Sequence, residues 1–227
     1  MGYKHLLFDM DNTLYPASSA MNDGITRRML ECVADFFHCT FEQADALRRE
    51  RIVHFSTTLE WLRSEGMNDV EGFLAHVHPA NETDELLPQP GLRDFLTSLP
   101  HPKSILTNAP HEHADRVLAK LGIADLFVAV TDIRDANFNG KPYPDAYISA
   151  LRKAGSTVED TLFLDDMRKY TDGWEALGGT AVLIGEENGR PLAPDAKAMK
   201  SAREINSLEK KGRTIRLGSI YEIKKIL

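Results

Sequence analysis

His5-Leu6-Leu7-Phe8-Asp9-Met10-Asp11-Asn12-Thr13-Leu14-Tyr15 begins as an apolar run and breaks it with two carboxylates two residues apart. Leu6 to Phe8 suits a buried strand. Alternation along that strand places Asp9 and Asp11 on one side, at its C-terminal end. Open α/β sheets carry their chemistry at that end. Two carboxylates held close repel unless a cation or a shared proton compensates them. The pair therefore reads as a divalent-metal site with one carboxylate free to act as a nucleophile.

Working outward, residues 18–38, 40–54, 57–65 and 68–78 read as four consecutive helices with no strand between them. Thr40-Phe41-Glu42-Gln43 is a capping-box signature, Asn68-Asp69-Val70-Glu71 resembles one, and Gly66 reads as a C-cap. Such a block inside an alternating chain predicts an inserted helical unit. Its boundaries are Tyr15-Pro16 and Leu87-Pro88-Gln89-Pro90-Gly91, both stiff and turn-rich. The alternation then becomes regular. Helices are expected at 91–99, 111–121, 144–154 and 172–177, and strands at 104–107, 126–130, 161–164 and 180–184. Thr214–Leu217 reads as an edge strand and Ser219 as the cap of a closing helix. Residues 186–213 are charged and aperiodic, with part of them a candidate solvated helix. The expected fold is α/β, a parallel sheet with helices on both faces. Residues 1–16 and 88–227 form the core domain, and 17–87 the helical insert.

Bulk properties narrow the function. A chain of 227 residues holds one large domain or a domain with a small insert. A net charge of −7 disfavours an electrostatic role on nucleic acid or anionic membrane, so a phosphate ligand would need a local positive site. No run of 18 apolar residues suggests a membrane span. The chain enters a strand almost at once, which leaves no room for a signal peptide. Cys32 and Cys39, seven apart in an expected helix, suit two thiols on one face and imply no disulfide framework. A reducing cytoplasm is the simple expectation.

Three further segments carry chemistry: Leu106-Thr107-Asn108, Lys141-Pro142 and Phe163-Leu164-Asp165-Asp166. With Phe8-Asp9-Met10-Asp11-Asn12-Thr13-Leu14 they resemble, in order, the four motifs of the haloacid dehalogenase superfamily of aspartate-nucleophile phosphohydrolases. The resemblance covers about residues 5–185. It implies a doubly wound, Rossmann-like parallel-sheet core with the helical insert as a C1 cap domain. It also implies Mg²⁺ as cofactor, Asp9 as nucleophile and Asp11 as general acid and base. The metal ligands it implies are Asp9, the backbone carbonyl of Asp11, and Asp165 with Asp166, of which Asp166 is the inner ligand and Asp165 binds directly or through water. Thr107 and Asn108 would hold phosphoryl oxygens, and Lys141 would neutralise Asp9 and the phosphoryl charge. Taken alone, Thr107 and Asn108 read first as a helix cap, and Lys141 as a solvated loop lysine; the order of the motifs reverses both. The pattern departs over Met167–Gly173, where many relatives carry Ser or Asn and then another Asn. That departure leaves the hydrogen bonds around Lys141 unassigned.

Leu14-Tyr15-Pro16, His54-Phe55-Ser56-Thr57-Thr58-Leu59, Asn108-Ala109-Pro110 and His113-Ala114-Asp115-Arg116-Val117-Leu118 look like the pyrimidine 5′-nucleotidase branch. That resemblance implies small phosphate esters such as UMP or CMP as substrates. Thr57 and Thr58 would face the site, and Phe55 would stack on a base. A helix N-terminus with one core aromatic explains the same residues. His54, His111 and His113 are read as exposed or capping residues, because their spacing is not a zinc pattern. Trp61, Leu62, Phe36, Phe37 and Phe73 read as core of the insert. The expected protein is a monomer or homodimer acting on a small phosphate ester. A sugar-phosphate phosphatase or phosphomutase is the nearest rival, and a non-catalytic binding protein on the same fold is another. A dehalogenase needs neither metal nor a second acid. A phosphonate hydrolase would want a lysine in the cap, and residues 17–86 contain none.

Overall fold

Successive residues of the central strands point to opposite sides, and each side buries them. The computed structural model describes residues 2–16, 19–187, 190–191 and 213–227. Strand β1 (His5–Phe8) lies at the centre of a six-stranded sheet with β2 (Lys103–Leu106), β3 (Ala129–Thr131), β4 (Thr161–Asp165) and β5 (Thr180–Ile184). A two-residue hairpin, β6 (Glu186–Glu187) with β7 (Arg190–Pro191), precedes the edge strand β8 (Arg213–Leu217). The sheet order is β3-β2-β1-β4-β5-β8, and every pair in it is parallel. Leu6, Phe8, Ile105, Leu162 and Leu164 pack on one face, while Leu7, Leu106 and Phe163 pack on the other. Burial on both sides is why these strands are apolar without interruption.

Helices α1 (Ala20–Phe37), α2 (Phe41–Arg51), α3 (Thr58–Ser64) and α4 (Val70–Val77) follow β1. A 3-10 turn at Glu82–Glu85 and α5 (Leu92–Thr97) lead back to β2. Helix α6 (His111–Leu121) and α5 cover the first face; α7 (Pro144–Ala154) and α8 (Arg168–Ala176) cover the second. A final 3-10 turn, Ile220–Lys225, is capped by Ser219 as expected. Within the insert, Trp61 and Leu62 are buried and Phe37 stacks on Trp61 at 5.3 Å. Its apolar residues are continuous with those of the first sheet face through Met10, Leu14 and Tyr15.

Several expected boundaries move. The Thr40–Gln43 capping box is present, but α4 is capped by Asp69, which accepts from Gly72 N at 2.9 Å. The third strand starts at Ala129, not 126, because Leu126 closes a 3-10 turn and Phe127 packs edge-on against Phe8. Helix α8 starts at Arg168 rather than 172: Met167 N donates to Asp165 Oδ1 at 2.8 Å and turns the strand directly into the helix. Cys39 lies beyond the end of α1, after the left-handed His38, so the two free thiols do not share a helix face. Ser18, and residues 188–189 and 192–212 of the charged stretch, lie outside the described residues. No helix among the described residues is long and apolar enough to cross a membrane.

Candidate active site

The register sets the site. Phe8 stands opposite both Ile105 and Leu164, so β1, β2 and β4 end nearly level. Asp9 and Thr107 directly follow β1 and β2, and Asp165 is the last residue of β4. Lys141 reaches the same point from the loop between β3 and α7. It is fully buried, with Nζ 2.5 Å from Asp9 Oδ1 and 2.6 Å from Asp165 Oδ2. The rings of Tyr170 and Phe163 flank the ammonium at 4.9 and 5.6 Å. Asn108 holds the loop: its Nδ2 donates to Lys141 O at 3.0 Å, and Lys141 N donates to its Oδ1 at 2.7 Å. The side chain of Asn108 is thus spent on the lysine. Gly140 is required there, since a Cβ would stand 2.2 Å from Asn108 Oδ1. Thr107 is buried and its Oγ1 accepts from Ala109 N at 3.0 Å.

Asp9, Asp165 and Asp166 bring carboxylate oxygens within 4.8 Å of one another. Burial pushes the Asp9 carboxyl well above the usual range; Lys141 opposes this, and Asp165, Asp166 and Asp11 add to it. Burial also raises Asp165, and with the Asp165 charge it pushes Asp166 up to about 7. The two carboxylates hold the Lys141 ammonium above the usual lysine range despite its burial. With all three ionised, as a bound cation would make them, the carboxylates around one ammonium leave two negative charges in excess. All-oxygen donors with that excess fit a divalent hard cation. Thr13, which the motif includes but the sequence reading gave no role, donates to Asp9 Oδ2 at 3.0 Å.

Asp11 sits apart from that trio. Its Oδ1 accepts from Tyr15 Oη and lies 2.8 Å from His113 Nε2. Burial works against ionisation here, and the His113 charge overrides it, holding the carboxyl below its usual value. His113 is a correction to the sequence reading: it is fully buried, whereas His54 and His111 are exposed as expected. Behind it lies Glu82, buried in the 3-10 turn that sequence reasoning missed altogether. Helical spacing carried a signal for His113, since it shares the buried face of α6 with Ala114, Val117 and Leu118.

A cleft of about 250 Å³ opens over Asp9, Asp11, Thr107, Lys141 and Asp166. Thr57 and Thr58 line its far side, but both hydroxyls are engaged. Thr57 caps α3 through Glu60 N, and Thr58 Oγ1 accepts from Arg48 Nε at 3.0 Å. Phe55 packs against the apolar core and is not part of the cleft wall. Two cations the sequence did not single out, Arg48 and Lys169, complete that side. Neither has a carboxylate within ion-pair distance among the described residues. Lys169 Nζ donates to Ser56 O at 2.8 Å and Tyr170 Oη to the same carbonyl at 3.0 Å, which ties α8 to the insert. Tyr170 stands in the stretch where the motif pattern departs, and its ring supplies the wall beside Lys141.

Residues 3–167 match the haloacid dehalogenase-like hydrolase family. Solved structures share the fold at low identity. An L-2-haloacid dehalogenase from Xanthobacter autotrophicus is 23% identical, with 82% of this chain and 79% of that one covered and a TM-score of 0.54. A HAD phosphatase from Thermococcus onnurineus is 17% identical over 98% and 97% of the two chains, with a TM-score of 0.59. A HAD-superfamily hydrolase of subfamily IA from Geobacter sulfurreducens is 19% identical over 99% and 96%, with a TM-score of 0.56.

Proposed function

Because this chain belongs to the haloacid dehalogenase-like hydrolase family, we propose that it is a Mg²⁺-dependent phosphomonoester hydrolase working through an aspartyl-phosphate on Asp9. The supporting observation is the trio of Asp9, Asp165 and Asp166 against the single ammonium of Lys141, with a separate acid, Asp11, on the same cleft. A dehalogenase has no need of that excess charge or of the second acid. Asp9 and Asp166 would hold the Mg²⁺ together with the carbonyl of Asp11. Asp165, whose two oxygens already serve Lys141 and Met167 N, would act from behind. The ion would screen the phosphoryl charge as Asp9 approaches it.

Asp9 attacks phosphorus, and the bond to the leaving oxygen breaks as that oxygen takes a proton from Asp11, which the negative charge of the bound phosphate favours in its acid form at this step. Water then attacks the phosphorus of the aspartyl-phosphate, Asp11 accepts the water's proton, and the bond to Asp9 breaks. Lys141 stays on Asp9 and limits the charge built up in both steps. The insert, residues 17–87, would act as the cap over this chemistry. The ties from Lys169 and Tyr170 to Ser56 would hold it shut during turnover.

Metal binding has a readout besides activity. Mg²⁺ at a hundred times its dissociation constant is expected to stabilise the fold by about 2.7 kcal/mol. Thermal melting with Mg²⁺ and with EDTA measures this, and Asp166→Asn should abolish the difference.

The resemblance names a pyrimidine nucleoside 5′-monophosphate as the substrate. Arg48 and Lys169 support an acceptor-rich leaving group, since both line the cleft and neither has a carboxylate within ion-pair distance among the described residues. Arg48→Ala is expected to raise KM for UMP by roughly 10- to 100-fold, the worth of one charged hydrogen bond. Turnover of p-nitrophenyl phosphate, whose leaving group lacks the sugar and base, should be unchanged. Phosphate release from nucleoside monophosphates and sugar phosphates, with Mg²⁺ and with EDTA, tests the whole reading. Release from sugar phosphates alone would keep the chemistry and discard the nucleotide. No release of any kind would discard both. The free cysteines suit a reducing cytoplasm, and the cleft suits a small ester rather than a macromolecule.

A further inference from the structure

Tyr15 leads into the helical insert, and Glu82 stands where the chain leaves it. Both converge on Asp11. Tyr15 donates directly to Asp11 Oδ1. Glu82 acts through His113, whose Nδ1 lies 2.8 Å from Glu82 Oε1 and whose Nε2 lies 2.8 Å from Asp11 Oδ1. The Nε2 contact is a hydrogen bond to a carboxylate, whereas Nδ1 stands within ion-pair distance of Glu82 without hydrogen-bond geometry. Glu82 is fixed in turn: His78 Nδ1 stands 3.0 Å from its Oε2 and Arg116 Nη2 2.6 Å from its Oε1. Arg116 also donates to His78 O at 2.9 Å. The side chains of Glu82 and His113 are wholly buried, while that of Asp11 is 27% exposed and lines the cleft.

Both donors grip the same oxygen, Oδ1. Two contacts on one oxygen oppose rotation of the carboxylate and leave Oδ2 as the oxygen available to the cleft that Asp11 lines. That orientation matters when water attacks the aspartyl-phosphate, because Asp11 must then accept a proton.

We propose that His113, seated by Glu82, is a positioning residue that holds Asp11 as the oriented base for hydrolysis of the aspartyl-phosphate. His78, Glu82 and His113 also meet the distance condition for a metal cluster. Arg116 already places a positive charge 2.6 Å from Glu82 Oε1. The cluster therefore works as a charge-paired clamp.

The inference rests on the aspartyl-phosphate reading and is tested on p-nitrophenyl phosphate with Mg²⁺. That leaving group departs without a proton, so formation of the phosphoenzyme is spared and its hydrolysis is exposed. His113→Ala is expected to lower kcat by roughly 100-fold, the lower range for a general base. KM should fall in parallel, leaving kcat/KM nearly unchanged, with a burst of nitrophenolate equal to the enzyme present. His113→Gln, which restores a neutral donor, should recover part of kcat. Tyr15→Phe tests the second donor on the same oxygen and covers the case in which the alanine variant fails to fold. If kcat and kcat/KM fall together without a burst in the folded variants, His113 is structural and the inference is wrong. An unchanged kcat would also overturn it. Absence of turnover by the unaltered protein would instead overturn the phosphatase reading.

Discussion

Asp9→Asn is expected to lose turnover by on the order of 10⁴-fold or more, because the proposed mechanism gives the phosphoryl group to Asp9 and uses Asp11 and Asp166 otherwise. The same change should leave the fold intact, and without metal it should make it more stable. Asp9 is buried and shares one lysine with Asp165, while Asp166 and Asp11 add repulsion. Its charge is disfavoured in the folded protein, so a neutral side chain of the same shape relieves the cluster. Melting in EDTA and phosphate release with Mg²⁺ check the two halves together. A rise in melting temperature with activity lost is the expected pair. A folded Asp9→Asn protein that keeps its turnover would remove Asp9 from the mechanism.

Lys141→Met should be the most damaging single change to stability. It leaves Asp9 and Asp165 buried with no ammonium between them. Removing one member of a buried ion pair costs about 3–5 kcal/mol. Arginine is no remedy, since Lys141 has no exposed surface and is hemmed by the rings of Phe163 and Tyr170. Adding Asp165→Asn to Lys141→Met should recover stability but not activity, because one unpaired charge is removed while the phosphoryl charge stays uncompensated. Denaturant unfolding of the two single variants and the double variant in EDTA measures that coupling. Additive losses would show that the lysine and Asp165 do not act as a pair.

Much of this arrangement was legible in the chain. Leu6–Phe8, Ile105–Leu106 and Leu162–Leu164 are apolar because both sheet faces are covered, and each ends in a polar residue that the parallel register brings level. Order and spacing were enough to bring Asp9, Thr107, Lys141 and Asp165 together. The moved boundaries have local causes. Leu126 and Phe127 looked like strand because they are apolar, but they serve a turn and a ring contact. The start of α8 depended on one hydrogen bond from Met167 N to Asp165, which no periodicity reports. The clamp on Asp11 was the least legible part. Its members, Tyr15, Glu82 and His113, are far apart in the chain and meet only after the insert folds back. Glu82 also lies in a short acidic turn that looks like solvated surface. Thr57 and Thr58 show the reverse case: both line the cleft, but cap and arginine contacts occupy their hydroxyls.

Trapping the covalent intermediate tests the central claim most directly. Asp11→Asn should still form the phosphoenzyme from p-nitrophenyl phosphate but hydrolyse it slowly. After incubation with Mg²⁺ and an acid quench, mass spectrometry of the digest should show one added phosphoryl group on the peptide that contains Asp9. The label should be missing with EDTA and missing when Asp9 is also changed to Asn. A phosphoryl group on another residue, or none while the unaltered protein turns the same ester over, would contradict the account.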